Sequence, residues 1–308
     1  MADVEKVIYT FLEVSIAIGC CFGNLLVFWA VWSRRALQQT TFCFVVSLAV
    51  ADFLVGAVAV PLALVVDIGV ETSFHSCLFI SCVIIVLTQA SVHSLLAIAV
   101  DRSLRVYNPL RFRGEGKKQH LWAAITVCWI SASILGLIPL FGWHKVDLTT
   151  NTNSTIKCQF VTVISMSYMV NFNFVACILT PIVIMFALYI FIFYTISKQL
   201  RNGVGKAAES RSFYRKERKL ACSLALILVL FAVCWLPLHI MNTAYSITNQ
   251  PLPHVVIHIG VLLSHANSAV NPIVYAFKIP KIKAAYKAIL IKLMCFRTVG
   301  RPEQPDFG

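Results

Sequence analysis

FCFVVSLAVADFLVGAVAVPLALVV, residues Phe42–Val66, is a run of 25 residues with one charge, Asp52. A helix of that length rises about 37 Å, enough to cross a hydrocarbon core of about 30 Å. Six further runs of this kind occupy residues 8–32, 77–101, 121–143, 168–197, 219–247 and 254–278. Each is long enough to span a bilayer and is bounded by polar or basic segments. The pattern predicts an all-α membrane protein, a bundle of seven transmembrane helices.

Composition agrees with that reading. Of 308 residues, 59% are hydrophobic and 13% charged, and the mean hydropathy is +0.80. Soluble domains run near about 45–50% apolar and about 25% charged. The chain divides into a seven-helix unit, residues 1–278, and a C-terminal segment, residues 279–308. In the latter, Ile279–Leu293 carries apolar residues at helical spacing with Lys281, Lys283, Lys287 and Lys292 between them. That is an amphipathic helix suited to an anionic cytoplasmic leaflet, with membrane lipid as its partner.

The net charge of +13 is not a nucleic-acid footprint, because no soluble basic face exists to present it. Only Lys6, Lys145 and Lys157 lie outside four clusters. The clusters are Arg34–Arg35, six residues from Arg102 to Lys118, eight from Lys198 to Lys219, and seven from Lys278 to Arg301. They follow spans one, three, five and seven. The positive-inside rule puts them in the cytoplasm, with the N-terminus outside and the C-terminus inside. The first run is too long for a signal-peptide core and is expected to stay as a span. Most of the 11 cysteines lie within apolar runs and read as small buried hydrophobes. Residues 199–218, rich in Gly, Lys and Arg without an apolar period, read as a cytoplasmic loop. Prolines 61, 139, 181, 237 and 272 fall inside spans, where each is expected to kink its helix.

Specific motifs lie in register along the runs: Asn24, Asp52 in LAVAD, Asp101-Arg102, Trp129, Pro181, Tyr189, CWLP (Cys234–Pro237) and NPIVY (Asn271–Tyr275). Together they resemble the class A, rhodopsin-like, G-protein-coupled receptors. The stretches TFCFVVSLAVAD (41–52), SLLAIAVDR (94–102), CQF (158–160), CWLPLHIMN (234–242) and LLSHANSAVNPIVYAF (262–277) are similar to adenosine receptors, chiefly those coupling to inhibitory G proteins. The resemblance implies a plasma-membrane receptor for adenosine with a heterotrimeric G protein as partner and no enzyme activity. Ser103 stands where Tyr is usual after Asp-Arg. Ile282 replaces a common aromatic, and Gln159 replaces an acidic residue before the loop Phe.

The candidate ligand site follows from chemistry and resemblance together. A carboxamide can pair with both N6 and N7 of adenine, and Asn242 resembles the family's purine-binding Asn. Phe160 would stack on the ring, with Leu238 and Ile257 closing the slot. Thr88, Ser264 and His265 would meet the ribose hydroxyls, with Glu13 holding His265. The resemblance adds Trp235, His239, Gln159, Met169, Gln89, Val261 and Ile85 to the lining. Bland readings stand beside these: Asn242 as a polar helix end facing water, Thr88 and Ser264 bonded back to their own helices.

Asp52 lies mid-span, where an ionisable group costs about 2.5–3.5 kcal/mol unless it faces a polar cavity. With Ser91, Asn267 and Asn271 it offers hard oxygen ligands, and the resemblance implies an allosteric sodium ion. The alternative is a protonated carboxyl bonded to Asn271. Cys77 and Cys158 are the expected disulfide, with free thiols as the alternative. Arg102 is expected to pair with Asp101 and Glu217 in a G-protein switch that also uses Tyr189 and Tyr275. Asn153 is a glycosylation acceptor and Cys295 a palmitoylation candidate.

Other classes fare worse. An amine receptor needs an acid where Ile84 stands, and an opsin needs a lysine in the seventh span. A channel or transporter would show repeats or more intramembrane charges than Glu13, Asp52, Asp67 and Asp101. No nucleophile–base pair or metal-ligand spacing suggests an enzyme. A receptor of the same fold for a lipid or another nucleoside stays open, though a lipid does not need Asn242, Thr88 and His265.

Overall fold

The computed structural model describes residues 2–33, 40–109, 118–145, 155–202 and 208–299. Among them, six helices are long and apolar enough to cross a membrane: Val4–Ser33, Phe42–Ile68, Phe74–Tyr107, Gln119–Phe141, Tyr168–Arg201 and Arg211–Thr248. The seventh helix, His254–Lys278, is 25 residues long. It is less apolar because His258, Ser264, His265, Asn267, Ser268 and Asn271 all turn into the bundle and are buried. A helix whose polar face meets other helices rather than lipid can carry that load.

The helices close a ring. The first packs on the second and seventh, the seventh on the sixth, the sixth on the fifth, and the third touches the second, fourth and fifth. The third helix is thus the central strut, 34 residues from Phe74 to Tyr107 and about 51 Å long. Trp129 on the fourth helix donates to Ser47 Oγ on the second at 3.1 Å, and Ser47 meets Ser94 on the third at 3.3 Å. Gly136 lets the fourth helix approach the third: a Cβ there would sit 2.9 Å from the Val86 Cα.

Two prolines produce wide turns rather than simple kinks. Pro61 has no amide hydrogen to give. The preceding segment Val55–Ala59 is π-helical, and the Val60 amide bonds to Val55 O, one residue further back than in an α-helix. Ahead of Pro181 the π-helical stretch is longer, Tyr168–Leu179. Pro139 lies in the 3-10 turn Ile138–Phe141, while Pro237 and Pro272 are inside continuous helices. Such π segments cluster at functional sites, and this one brings Met169 and Asn173 into the bundle.

The expected loop at residues 199–218 is shorter than its composition suggested. The fifth helix runs to Arg201 and the sixth begins at Ala208. Lys and Arg are good helix formers, so a basic run extends a helix as readily as it ends one. Beyond the seventh helix, Pro280–Val299 is helical, with Pro280 in its first turn, where a missing amide hydrogen costs nothing. Ile282, Ala285, Tyr286 and Ile289 are buried, while Lys281, Lys283, Lys287 and Lys292 are exposed. The fully buried Ile282 fills the space beneath the bundle in place of the usual ring.

At the opposite end, strand β1 (Glu71–Thr72) pairs antiparallel with β2 (Ile156–Lys157). The Cys77–Cys158 disulfide ties the loop to the start of the third helix. Phe160 then opens a one-turn helix, Phe160–Val163, for which Gln159 is the N-cap.

Candidate functional site

Glu13 and His265 meet in the interior between the first and seventh helices. His265 Nδ1 lies 2.8 Å from Glu13 Oε2 and 3.0 Å from Oε1. Glu13 is 0% exposed, and a buried carboxylate needs a partner of this kind. Tyr9, one turn outward on the same helix, is buried on the same side.

Across the bundle, Gln89 Nε2 donates to Asn173 Oδ1 at 2.7 Å, and Asn173 Nδ2 contacts Met169 Sδ at 3.9 Å. His239 is stacked between Phe174 (centroids 4.9 Å apart, 2° between planes) and Trp235 (5.7 Å, 21°). Both His239 nitrogens, Trp235 Nε1 and Gln89 Oε1 are buried without a partner among the described residues. Unpartnered buried polar atoms are rare in native proteins. Four of them on facing helices call for a polar ligand or water.

Thr88 Oγ1 donates to Ile85 O at 2.8 Å and Ser264 Oγ to Val261 O at 2.7 Å. Both hydroxyls are bonded back into their own helices, which leaves each oxygen able to accept. Asn242 is half-buried, and its carboxamide has no hydrogen bond among the described residues. Leu238 packs against Gly260, where a Cβ would lie 3.4 Å from the Leu238 Cα. Ile85, Met169 and Phe160 share a cluster with the two disulfide cysteines. Two expected positions are exposed. Ile257, at the start of the seventh helix, is 37% exposed. Gln159 is exposed; its backbone carbonyl accepts from the Thr162 amide at 3.0 Å, and its own amide donates to Thr162 Oγ1 at 3.2 Å.

Asp52, 0% exposed, receives three bonds: Ser91 Oγ at 3.0 Å, Ser268 Oγ at 2.8 Å and Asn271 Nδ2 at 2.7 Å. Ser268 was not among the expected residues. Asn267, expected as an ion ligand, is buried, with no hydrogen bond to Asp52 among the described residues. Positions 268 and 271 are three apart, so they share a helix face as well as 267 and 271 do. That spacing was the available signal for Ser268. Asn24 Nδ2 bridges Cys20 O and Ser268 O at 2.9 and 3.1 Å, locking the first helix to this site.

At the basic end, Arg102 pairs with Asp101 at 2.8 Å and with Glu217 of the sixth helix at 3.0 Å, and Arg105 backs Asp101 at 3.1 Å. Ser103, bonded to Val100 O at 2.8 Å, reaches none of them. Tyr189 and Tyr275 are buried nearby in the main core, the Tyr275 hydroxyl without a partner. Asn153 and the Cys295 side chain lie outside the described residues. Sequence reasoning missed Asn173 and Phe174 because only the π-helical turn points them inward.

A closed ring of seven helices, with one carboxylate buried mid-span and an arginine tied across to the sixth helix, defines a class. The profile of the 7 transmembrane receptor (rhodopsin family) matches residues 23–275. The chain belongs to the rhodopsin family of seven-transmembrane receptors, which are membrane proteins and not enzymes. It is similar to adenosine receptor A3 of Ovis aries and of Bos taurus, each 46% identical over 284 residues, spanning 91% of this chain and 89% of the relative. Adenosine receptor A3 of Canis lupus familiaris is 45% identical over 284 residues.

Proposed function

We propose that this protein is a plasma-membrane receptor for adenosine that signals through heterotrimeric G proteins of the inhibitory class. The observation that carries the reading is the unpartnered Asn242 carboxamide above a buried Glu13–His265 pair, in a chain 46% identical to adenosine receptors. A carboxamide matches the adenine edge with one donor and one acceptor. Thr88, Ser264 and His265 supply acceptors and donors for ribose hydroxyls, and His239 and Trp235 offer unpartnered polar atoms between them. Phe160 supplies the stacking face.

The orientation follows from chemistry at the two ends. A disulfide persists in an oxidising compartment, and basic clusters stay in the cytoplasm. The N-terminus and the Cys77–Cys158 end therefore face outside. The Lys-bearing face of Pro280–Val299 lies on the anionic inner leaflet.

The donors around Asp52 suit a small hard cation: a carboxylate, two hydroxyls and nearby carboxamides, with no basic side chain bonded to Asp52 among the described residues. Sodium would be held by Asp52 with Ser91, Ser268, Asn267 and Asn271. When bound, it supplies the charge that the carboxylate otherwise lacks.

The test is signalling in cells. Adenosine should lower stimulated cyclic AMP in cells expressing the chain, and pertussis toxin should remove the effect. A rise in cyclic AMP would reject the inhibitory class. No response from a chain verified at the surface would reject the receptor reading.

A further inference from the structure

A second acid–base cluster lies at the disulfide end, outside the ligand set. His258, one turn into the seventh helix, places Nδ1 3.2 Å from Glu5 Oε1 on the first helix and Nε2 3.2 Å from Asp67 Oδ1 on the second. The Tyr9 ring stacks on the imidazole with centroids 4.0 Å and planes 16° apart. The His254 ring, one turn earlier, is 6.3 Å away. Among the described residues, Glu5, Tyr9, Asp67 and His254 are the titratable groups facing His258. Tyr9 and Glu13, the carboxylate that holds His265, are one helical turn apart, so they share a buried face of the first helix.

Carboxylate oxygens only accept, and a neutral imidazole has one N–H. The neutral ring therefore satisfies one carboxylate and turns a lone pair toward the other at the same 3.2 Å. The imidazolium donates to both. We propose that His258 is a proton-operated positioning residue for the ligand site. Its charged ring staples the outer ends of the first, second and seventh helices and, through Tyr9, holds the Glu13–His265 pair in place.

The sign follows directly. Acidification adds the second N–H, closes the staple and tightens ligand binding. Alkaline conditions remove it and leave one carboxylate facing a lone pair. Histidine is the side chain whose charge ordinarily changes between about pH 5 and 8. Both carboxylates are 33% exposed, so solvent screens the pair and the effect is modest, roughly threefold in affinity across that range.

Two measurements test it on the full chain, and only the second rests on the adenosine reading. In detergent without ligand, the wild-type melting temperature should rise on going from about pH 8 to about pH 6 by roughly 2 °C more than that of His258→Gln. On membranes, tritiated adenosine should bind the wild type roughly threefold more tightly at the lower pH, and His258→Gln should lose that dependence. Tyr9→Ala removes the stack but neither carboxylate, so it should keep the melting response and lose the binding response. Equal melting responses in wild type and His258→Gln overturn the staple. Wild-type pH dependence of binding in Tyr9→Ala overturns its coupling to the site. A wild type that binds no adenosine at either pH contradicts the proposed function, and the melting comparison still decides the staple.

Discussion

Arg102 on the third helix and Glu217 on the sixth are 115 residues apart in sequence and 3.0 Å apart in space. Arg102 is 3% exposed, and Asp101 takes its other terminal nitrogen. The pair is the polar tie between these two helices at the basic end. A helix that must swing outward to admit a partner is held by such a tie until ligand shifts the population.

Glu217→Gln keeps the size and removes the charge. Hydrogen bonds to charged groups contribute about 1.5–3 kcal/mol, so losing much of that raises the active fraction without agonist. Basal GTPγS binding on membranes should increase severalfold per receptor. Basal turnover equal to wild type would mean the sixth helix is held elsewhere, for instance where Ser223 Oγ donates to Lys278 O at 3.2 Å.

Glu13→Ala leaves His265 without its buried partner. Leaving a buried hydrogen-bonding group unsatisfied costs roughly 1–3 kcal/mol, shared between bundle stability and ligand binding. The variant should melt at lower temperature and lose adenosine affinity, and Glu13→Gln should recover part of both. An unchanged melting temperature for Glu13→Ala would show that the Glu13–His265 contact carries no weight.

The sodium proposed at Asp52 would favour the form that binds agonist poorly, so by linkage added sodium should weaken agonist binding. Asp52→Asn removes the charge while keeping partners for Ser91 and Ser268. Agonist affinity in the variant should be insensitive to replacing sodium with a large organic cation. Sodium sensitivity equal to wild type would remove Asp52 from the ion site.

The spans were legible because lipid imposes a length and an apolar composition on each. Asp52, Arg102 and Glu13 were legible because charges at membrane depth demand partners. Side-chain direction was less so. Asn173 and Phe174 turn inward on a π-helical stretch that an α-helical period misplaces, and Ser268 and Asn267 each share a helix face with Asn271, a choice that spacing alone does not settle. The two-residue strands Glu71–Thr72 and Ile156–Lys157 are too short to show any alternation. The start of the sixth helix, at the basic end, was hidden because Lys and Arg fit loops and helices alike.

The central claim is recognition of adenosine through Asn242, and competition binding on membranes tests it most directly. Adenosine should displace a labelled adenosine analogue, while a biogenic amine and a lysophospholipid should not. Asn242→Ala removes two hydrogen bonds and leaves the polar edge of adenine unpaired, costing roughly 2–4 kcal/mol. That corresponds to a loss of adenosine affinity of about thirtyfold or more. Adenosine affinity in Asn242→Ala within about threefold of wild type, or displacement by the amine or the lipid instead, would contradict the account.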